Sequence, residues 1–139
     1  MLGIRKRMVV FSLMAAVATA TLGTAAPAFA SEIKYVVNGQ AITSYDLQRR
    51  VAFLKLQRAK GNLNQQAADQ MIEQTLKRAE TKRMNINITD KAVDDAYVRF
   101  ATNNKMTVAQ LDNVMSKSGV TKSHFKDFIR AQMGWGQVV

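Results

Sequence analysis

The sequence predicts a mainly α-helical fold, with a small N-terminal β-hairpin followed by about five helices in a compact orthogonal bundle. Three observations predict it. Asn38-Gly39 sits between two short apolar runs, and Asn-Gly favours the positive φ that both central positions of a tight hairpin turn require. One device then recurs four times: an apolar residue, a threonine, and a second apolar residue four positions after the threonine. Between these points apolar residues return at steps of three and four, the helical period. A chain of 139 residues, 47% apolar and 22% charged, suits one globular domain rather than two.

Residues 1–30 read as an address, not as part of that fold. Arg5, Lys6 and Arg7 precede a mostly apolar run from Met8 to Val17, and Pro27-Ala28-Phe29-Ala30 places small residues at 28 and 30. This is the layout of a secretory signal peptide with cleavage after Ala30. The apolar run is short for a hydrocarbon layer of about 30 Å. The remaining domain, 31–139, carries seventeen basic and ten acidic residues, a balance of +7. No second apolar span follows, so no stable membrane insertion is expected after signal removal, and the expected location is the periplasm.

The elements follow in order. The hairpin spans about 34–42, and a lone hairpin must pack on something to persist in water. The threonine device marks the helix starts: Ile42-Thr43 with Leu47, Ile88-Thr89 with Val93, Met106-Thr107 with Leu111, and Val120-Thr121 with Phe125. A threonine N-cap accepts from an otherwise orphan backbone N–H, and the apolar pair staples the entry. Gln110 completes a capping box with Thr107. The first helix is expected over 44–60, ending near Gly61. It carries a stripe of Leu47, Val51 and Leu54 and an opposite stripe of Tyr45, Ala52, Phe53 and Leu56, diluted by Arg49. The second covers about 65–84, with Ala68, Ile72, Thr75, Leu76 and Ala79 inward. The third covers about 90–103, facing inward with Val93, Ala96, Tyr97 and Phe100. The fourth covers about 108–117 and ends at Gly119. The fifth begins after Thr121 with Phe125, Phe128 and Ile129 on one face, and Gly134 and Gly136 weaken its last turn.

Catalytic constellations are missing from this sequence. It has no cysteine, which excludes thiol nucleophiles, disulfides and cysteine-ligated metals, and a single histidine, His124. His124 adjoins Ser123, but neighbouring helix positions diverge by about 100°, so they form no nucleophile–base pair. His124 is expected at the surface. Asp94-Asp95 diverge in the same way and suit a solvated helix N-terminus. No phosphate loop is present, and no metal or cofactor is expected. The basic residues Arg49, Arg50, Lys55, Arg58 and Lys60, and then Lys77, Arg78, Lys82 and Arg83, read as solvated helix faces. No aromatic residue is interleaved with the second cluster, so nucleic acid is not an expected partner. Weak attraction to acidic lipid or polysaccharide stays open. The methionines suit either core filling or an adaptable apolar binding surface.

The run VVNGQAITSYDLQRRV, with Val36, Val37, Asn38, Gly39, Ile42, Asp46 and Leu47, resembles the opening of the SurA-like periplasmic chaperones. The segment from Met71 to Met133 resembles the helical continuation. It has a long helix with a basic end, a short apolar connector, a Thr-Asp helix start, Asn-Asn-Lys-Met-Thr, a short Gly-ended helix and an aromatic-basic helix. The resemblance implies a helical module that holds unfolded outer-membrane proteins or other exported polypeptides without nucleotide. The family usually continues into parvulin-type prolyl isomerase domains and a returning segment. This chain is expected to lack them, and with them any isomerase activity. The stripe Ala52, Phe53 and Leu56 is then expected to be uncovered, serving clients or a homodimer. Periodicity picks Phe53, Leu56, Met106, Met115, Phe128, Met133 and Trp135 as peptide-binding candidates. The competing readings are a non-catalytic dimerisation module and a truncated remnant of a chaperone-isomerase.

Overall fold

The computed structural model describes residues 31–139. The expected export signal lies outside the described residues. Strands β1 (Ile33–Val37) and β2 (Gln40–Thr43) form an antiparallel hairpin. Val37 faces Gln40, Val36 faces Ala41 and Tyr35 faces Ile42. Asn38 and Gly39 take φ of 49° and 76°, the paired positive values that the dipeptide allows. Five helices follow: α1 (Ser44–Leu56), α2 (Leu63–Arg83), α3 (Asp90–Asn103), α4 (Val108–Ser118) and α5 (Lys122–Trp135).

All four threonine starts hold. The hydroxyls of Thr43, Thr89, Thr107 and Thr121 accept from the backbone N–H of Asp46, Ala92, Gln110 and His124. Thr107 and Gln110 close their capping box, and Thr43 with Asp46 closes a second one. The staple residues before three caps are interior: Ile42, Ile88 and Val120 are all buried. Each cap thus fixes a helix start and, through its staple, joins that start to the core.

Two boundaries shift. α1 ends at Leu56 rather than near residue 60, because Arg58 takes φ of 58° and the left-handed residue stops the helix before Gly61. α2 begins at Leu63, capped by the Asn62 side chain, which accepts from the Gln65 N–H.

α2 is the longest element and packs along both α1 and α5, while α3 and α4 close the far side of α5. Its buried face is Ala67, Ala68, Met71, Gln74 and Thr81. The expected inward face holds in part: Ala68 is buried and Ile72, Thr75 and Ala79 are half-buried, but Leu76 points out and is 47% exposed. The reason is a polar demand and a steric one. Gln74 supplies an acceptor to a buried arginine, and Thr81 packs directly against Gly134 of α5.

The core joins Phe53, Tyr97, Ala101, Leu111, Met115, Val120 and Phe125, with Ala52, Leu56, Met106, Val108, Phe128 and Ile129 packed on it. The stripe expected to be uncovered is therefore largely filled by this chain. Phe53 is 4% exposed, and its ring lies 5.3 Å from those of both Phe125 and Phe128. A helix with apolar residues on two sides needs two partners, and α1 finds α2 on one side and α4 with α5 on the other.

Candidate functional site

The aromatic cluster is built from three helices. α5 contributes Phe125 and Phe128, α1 Phe53, and α3 Tyr97 and Phe100. Phe100 and Tyr97 meet Phe125 edge-on at 4.8 Å and 5.9 Å between ring centres, an arrangement that adds to area burial. Five of the seven candidate binding residues, Phe53, Leu56, Met106, Met115 and Phe128, belong to this one cluster. Phe53 and Met115 are fully interior. Leu56, Met106 and Phe128 are half-buried on its margin.

Met133 and Trp135 lie apart from the cluster, near the end of α5, and are half-buried. Trp135 lines a shallow concavity of about 530 Å³ with Leu76, Ala79, Lys77, Arg83 and Asn38 of the hairpin turn. Lys77 Nζ sits 5.7 Å from the Trp135 ring centre, a cation–π approach, and also pairs with Glu73 at 2.6 Å. A larger groove of about 980 Å³ runs between β2, α2, the α2–α3 connector and α5. Ile42, Met71, Ile86 and Ile88 line it, together with Arg78, Lys82 and His124. The hairpin exposes Ile33, Tyr35 and Val36 at 59%, 40% and 64%. Val37 is half-buried, and Ile42 is the one hairpin side chain that is fully buried.

One polar junction lies inside the helix layer. Arg50, read as part of a solvated face, is 1% exposed, and His124, expected at the surface, is 8% exposed. Arg50 Nε donates to His124 Nε2 at 3.2 Å, and its two terminal nitrogens donate to Gln70 and Gln74. Burial lowers the Arg50 pKa to about 10. Burial, and then the Arg50 charge, lower that of His124 to about 4. On the far side, burial and then a hydrogen bond to Asp112 raise the Tyr97 hydroxyl pKa, the O–H donating at 2.6 Å.

Asp94 and Asp95 are exposed, as expected, and pair with Lys126 and Lys91 rather than with each other. Among the described residues no group of three or more His, Asp or Glu side chains is placed to hold a metal ion. Among them also, no helix is long and apolar enough to cross a membrane. The arrangement offers two open concavities of mixed polar and apolar lining, and exposed apolar side chains near charged residues of both signs, which suit binding.

Sequence reasoning missed Leu76, Arg50 and His124. For Leu76 a signal exists, since Ala67, Met71, Gln74 and Thr81 also follow a helical step, but two of them are polar and do not read as an apolar face. For Arg50 and His124 no local signal existed, because their partners come from other helices.

Comparison with known proteins decides the family. The family described as SurA N-terminal domain matches residues 31–138. The chain belongs to that family. A protein named Chaperone SurA from Aromatoleum aromaticum is 33% identical over 109 residues, covering 73% of this chain and 25% of that protein. Chaperone SurA of Vibrio vulnificus is 27% identical over 116 residues, covering 78% and 27%. Chaperone SurA of Photorhabdus laumondii is 29% identical over 135 residues, covering 91% and 30%. The chain thus spans between a quarter and a third of the length of these SurA relatives. The SurA N-terminal match begins at residue 31, directly after the segment read as an export signal.

Proposed function

We propose that this chain is a nucleotide-independent chaperone module, exported to the periplasm by residues 1–30, that holds extended segments of unfolded outer-membrane proteins. The observation that carries this reading is the SurA N-terminal match across nearly all the described residues, which include apolar side chains left in solvent. Clients first meet the concavity of Leu76 and Trp135 and the outer face of the hairpin. Leu56, Met106, Phe128 and Met133 offer further apolar edges, while Phe53 and Met115 support the surface from within. The module works by binding and performs no isomerisation.

Magnitudes suit a holding function. Each 100 Å² of apolar surface covered by a client is worth roughly 2–3 kcal/mol at about 25 cal/mol per Å². Association costs of about 4–15 kcal/mol stand against that gain. The result is weak, reversible capture. A balance of +7 over residues 31–139 adds attraction toward acidic clients that falls with salt.

The test is suppression of aggregation of a urea-unfolded outer-membrane β-barrel protein on dilution, titrated around equimolar protein. Suppression that weakens at high salt is the expected result. A folded sample that leaves the aggregation curve unchanged at several-fold excess would refute the reading. Prolyl isomerase activity toward a proline peptide would refute its non-catalytic part.

A further inference from the structure

The junction of α1, α2 and α5 holds a positive charge to which no carboxylate among the described residues is bonded. Arg50 gives its hydrogen bonds to neutral acceptors, His124, Gln70 and Gln74. Its guanidinium carbon lies 5.3 Å from the Phe128 ring centre and 6.0 Å from that of Phe53. Asp46, the acid one turn earlier on α1, is engaged by the Thr43 N–H and hydroxyl at 2.8 Å and 2.7 Å. The Nε contact has a condition that the two glutamine contacts lack. His124 Nε2 can accept from Arg50 only while it carries no proton.

The surroundings of His124 oppose that proton. From α1, Arg50 and Arg49 disfavour a charge on the imidazole and Asp46 favours it. From α2 come Gln74 and, along the same groove, Arg78 and Lys82. From β2 comes Ile42, which carries no charge. α5 itself places Asp127 and Arg130 on the groove. The acids of α3 and α4 are turned elsewhere: Asp90 to Arg130, Asp94 to Lys126, Asp95 to Lys91 and Asp112 to Lys122.

We propose that the Arg50–His124 contact is a pH-sensitive latch: α5 packs on α1 and α2 while His124 is neutral, and protonation sets two donors and two cations face to face and loosens that seam. The direction follows from linkage. An ordinary histidine titrates near 6.5, while burial and Arg50 hold His124 near 4 in the folded protein. The folded state therefore binds fewer protons than the unfolded chain between those values. The latch stabilises fully above about pH 6.5 and is lost as pH falls toward about 4. Between pH 7.5 and pH 5.0 the unfolding constant rises roughly 25-fold from this group alone. The latch is independent of any client.

His124 is the single histidine, so its ring Cε1–H signal in an NMR titration of the purified protein has one assignment. The expected midpoint in the folded protein lies more than one unit below 6.5. Urea unfolding at pH 7.5 and 5.0 should show the roughly 25-fold change. In His124→Gln, whose side-chain oxygen accepts without titrating, most of that change should vanish. Trp135, the single tryptophan, reports the end of α5 by fluorescence in the same samples. A folded-state midpoint within half a unit of 6.5 overturns the latch. So does an equal pH response in the parent and His124→Gln. If the variant does not fold, the parent's NMR midpoint decides alone.

Discussion

Gly134 is the position where adding one methyl group sets two effects against each other. It lies in the last turn of α5 and is buried. A Cβ built there would sit 2.6 Å from Thr81 Cγ2, 2.9 Å from its Oγ1 and 3.3 Å from its Cβ. Thr81 cannot swing aside freely, because its hydroxyl donates to the Lys77 carbonyl at 2.8 Å and the residue is buried. In an open helix Gly→Ala would gain up to about 1 kcal/mol, less in a final turn. Overpacking of this kind costs about 1–3 kcal/mol. The clash wins, and Gly134→Ala should destabilise by about 1–2 kcal/mol. For a domain of this size that lowers Tm by roughly 4–10 °C.

The assay is urea and thermal unfolding followed by far-ultraviolet circular dichroism. Thr81→Ala removes Cγ2 and Oγ1, leaving a contact at 3.3 Å that a few tenths of an ångström relieve. Thr81→Ala/Gly134→Ala should therefore regain most of the loss, with a coupling of about 1–2 kcal/mol in a double-mutant cycle. A Gly134→Ala protein as stable as the parent, or strictly additive losses in the double variant, would refute the close-approach argument.

Three other outcomes are expected. Phe53→Ser should cost about 3–5 kcal/mol of folding stability, read as a lowered urea midpoint, since Phe53 packs on Phe125 and Phe128. Tyr97→Phe should cost about 1 kcal/mol and raise the Asp112 pKa, which the Tyr97 hydroxyl and then Lys122 depress; carboxyl NMR titration checks the direction. Leu76→Ser with Trp135→Ala should leave the helical circular dichroism signal intact while weakening capture of an unfolded β-barrel client several-fold. Unchanged capture would move the client surface elsewhere on the module.

The elements that announce themselves locally were legible in the sequence. Thr89, Thr107 and Thr121 mark helix starts because cap and staple are both short-range interactions within six residues of chain. Asn38-Gly39 marks the hairpin for the same reason. Where a side chain's fate depends on another element, the pattern misled. Leu76 looked inward because it is apolar, yet α2 turns Gln74 and Thr81 inward to meet Arg50 and Gly134. Phe53 looked uncovered because its partners Phe125 and Phe128 lie some seventy residues later. His124 looked superficial because the first turn of a helix is usually wet, and nothing near it foretells that Arg50 fills the space beside it.

The capped helix starts bear on how the chain reaches its fold. Each start is specified within one turn, so the helices can begin independently before long-range packing is paid for in loop entropy. Pro27 is the single proline, and there is no cysteine, so residues 31–139 contain neither a slow prolyl bond nor a disulfide to reshuffle. Refolding should be a single fast phase with no minute-scale component. A chain that refolds this quickly hides its apolar core again before its exposed side chains can meet those of a second unfolded copy.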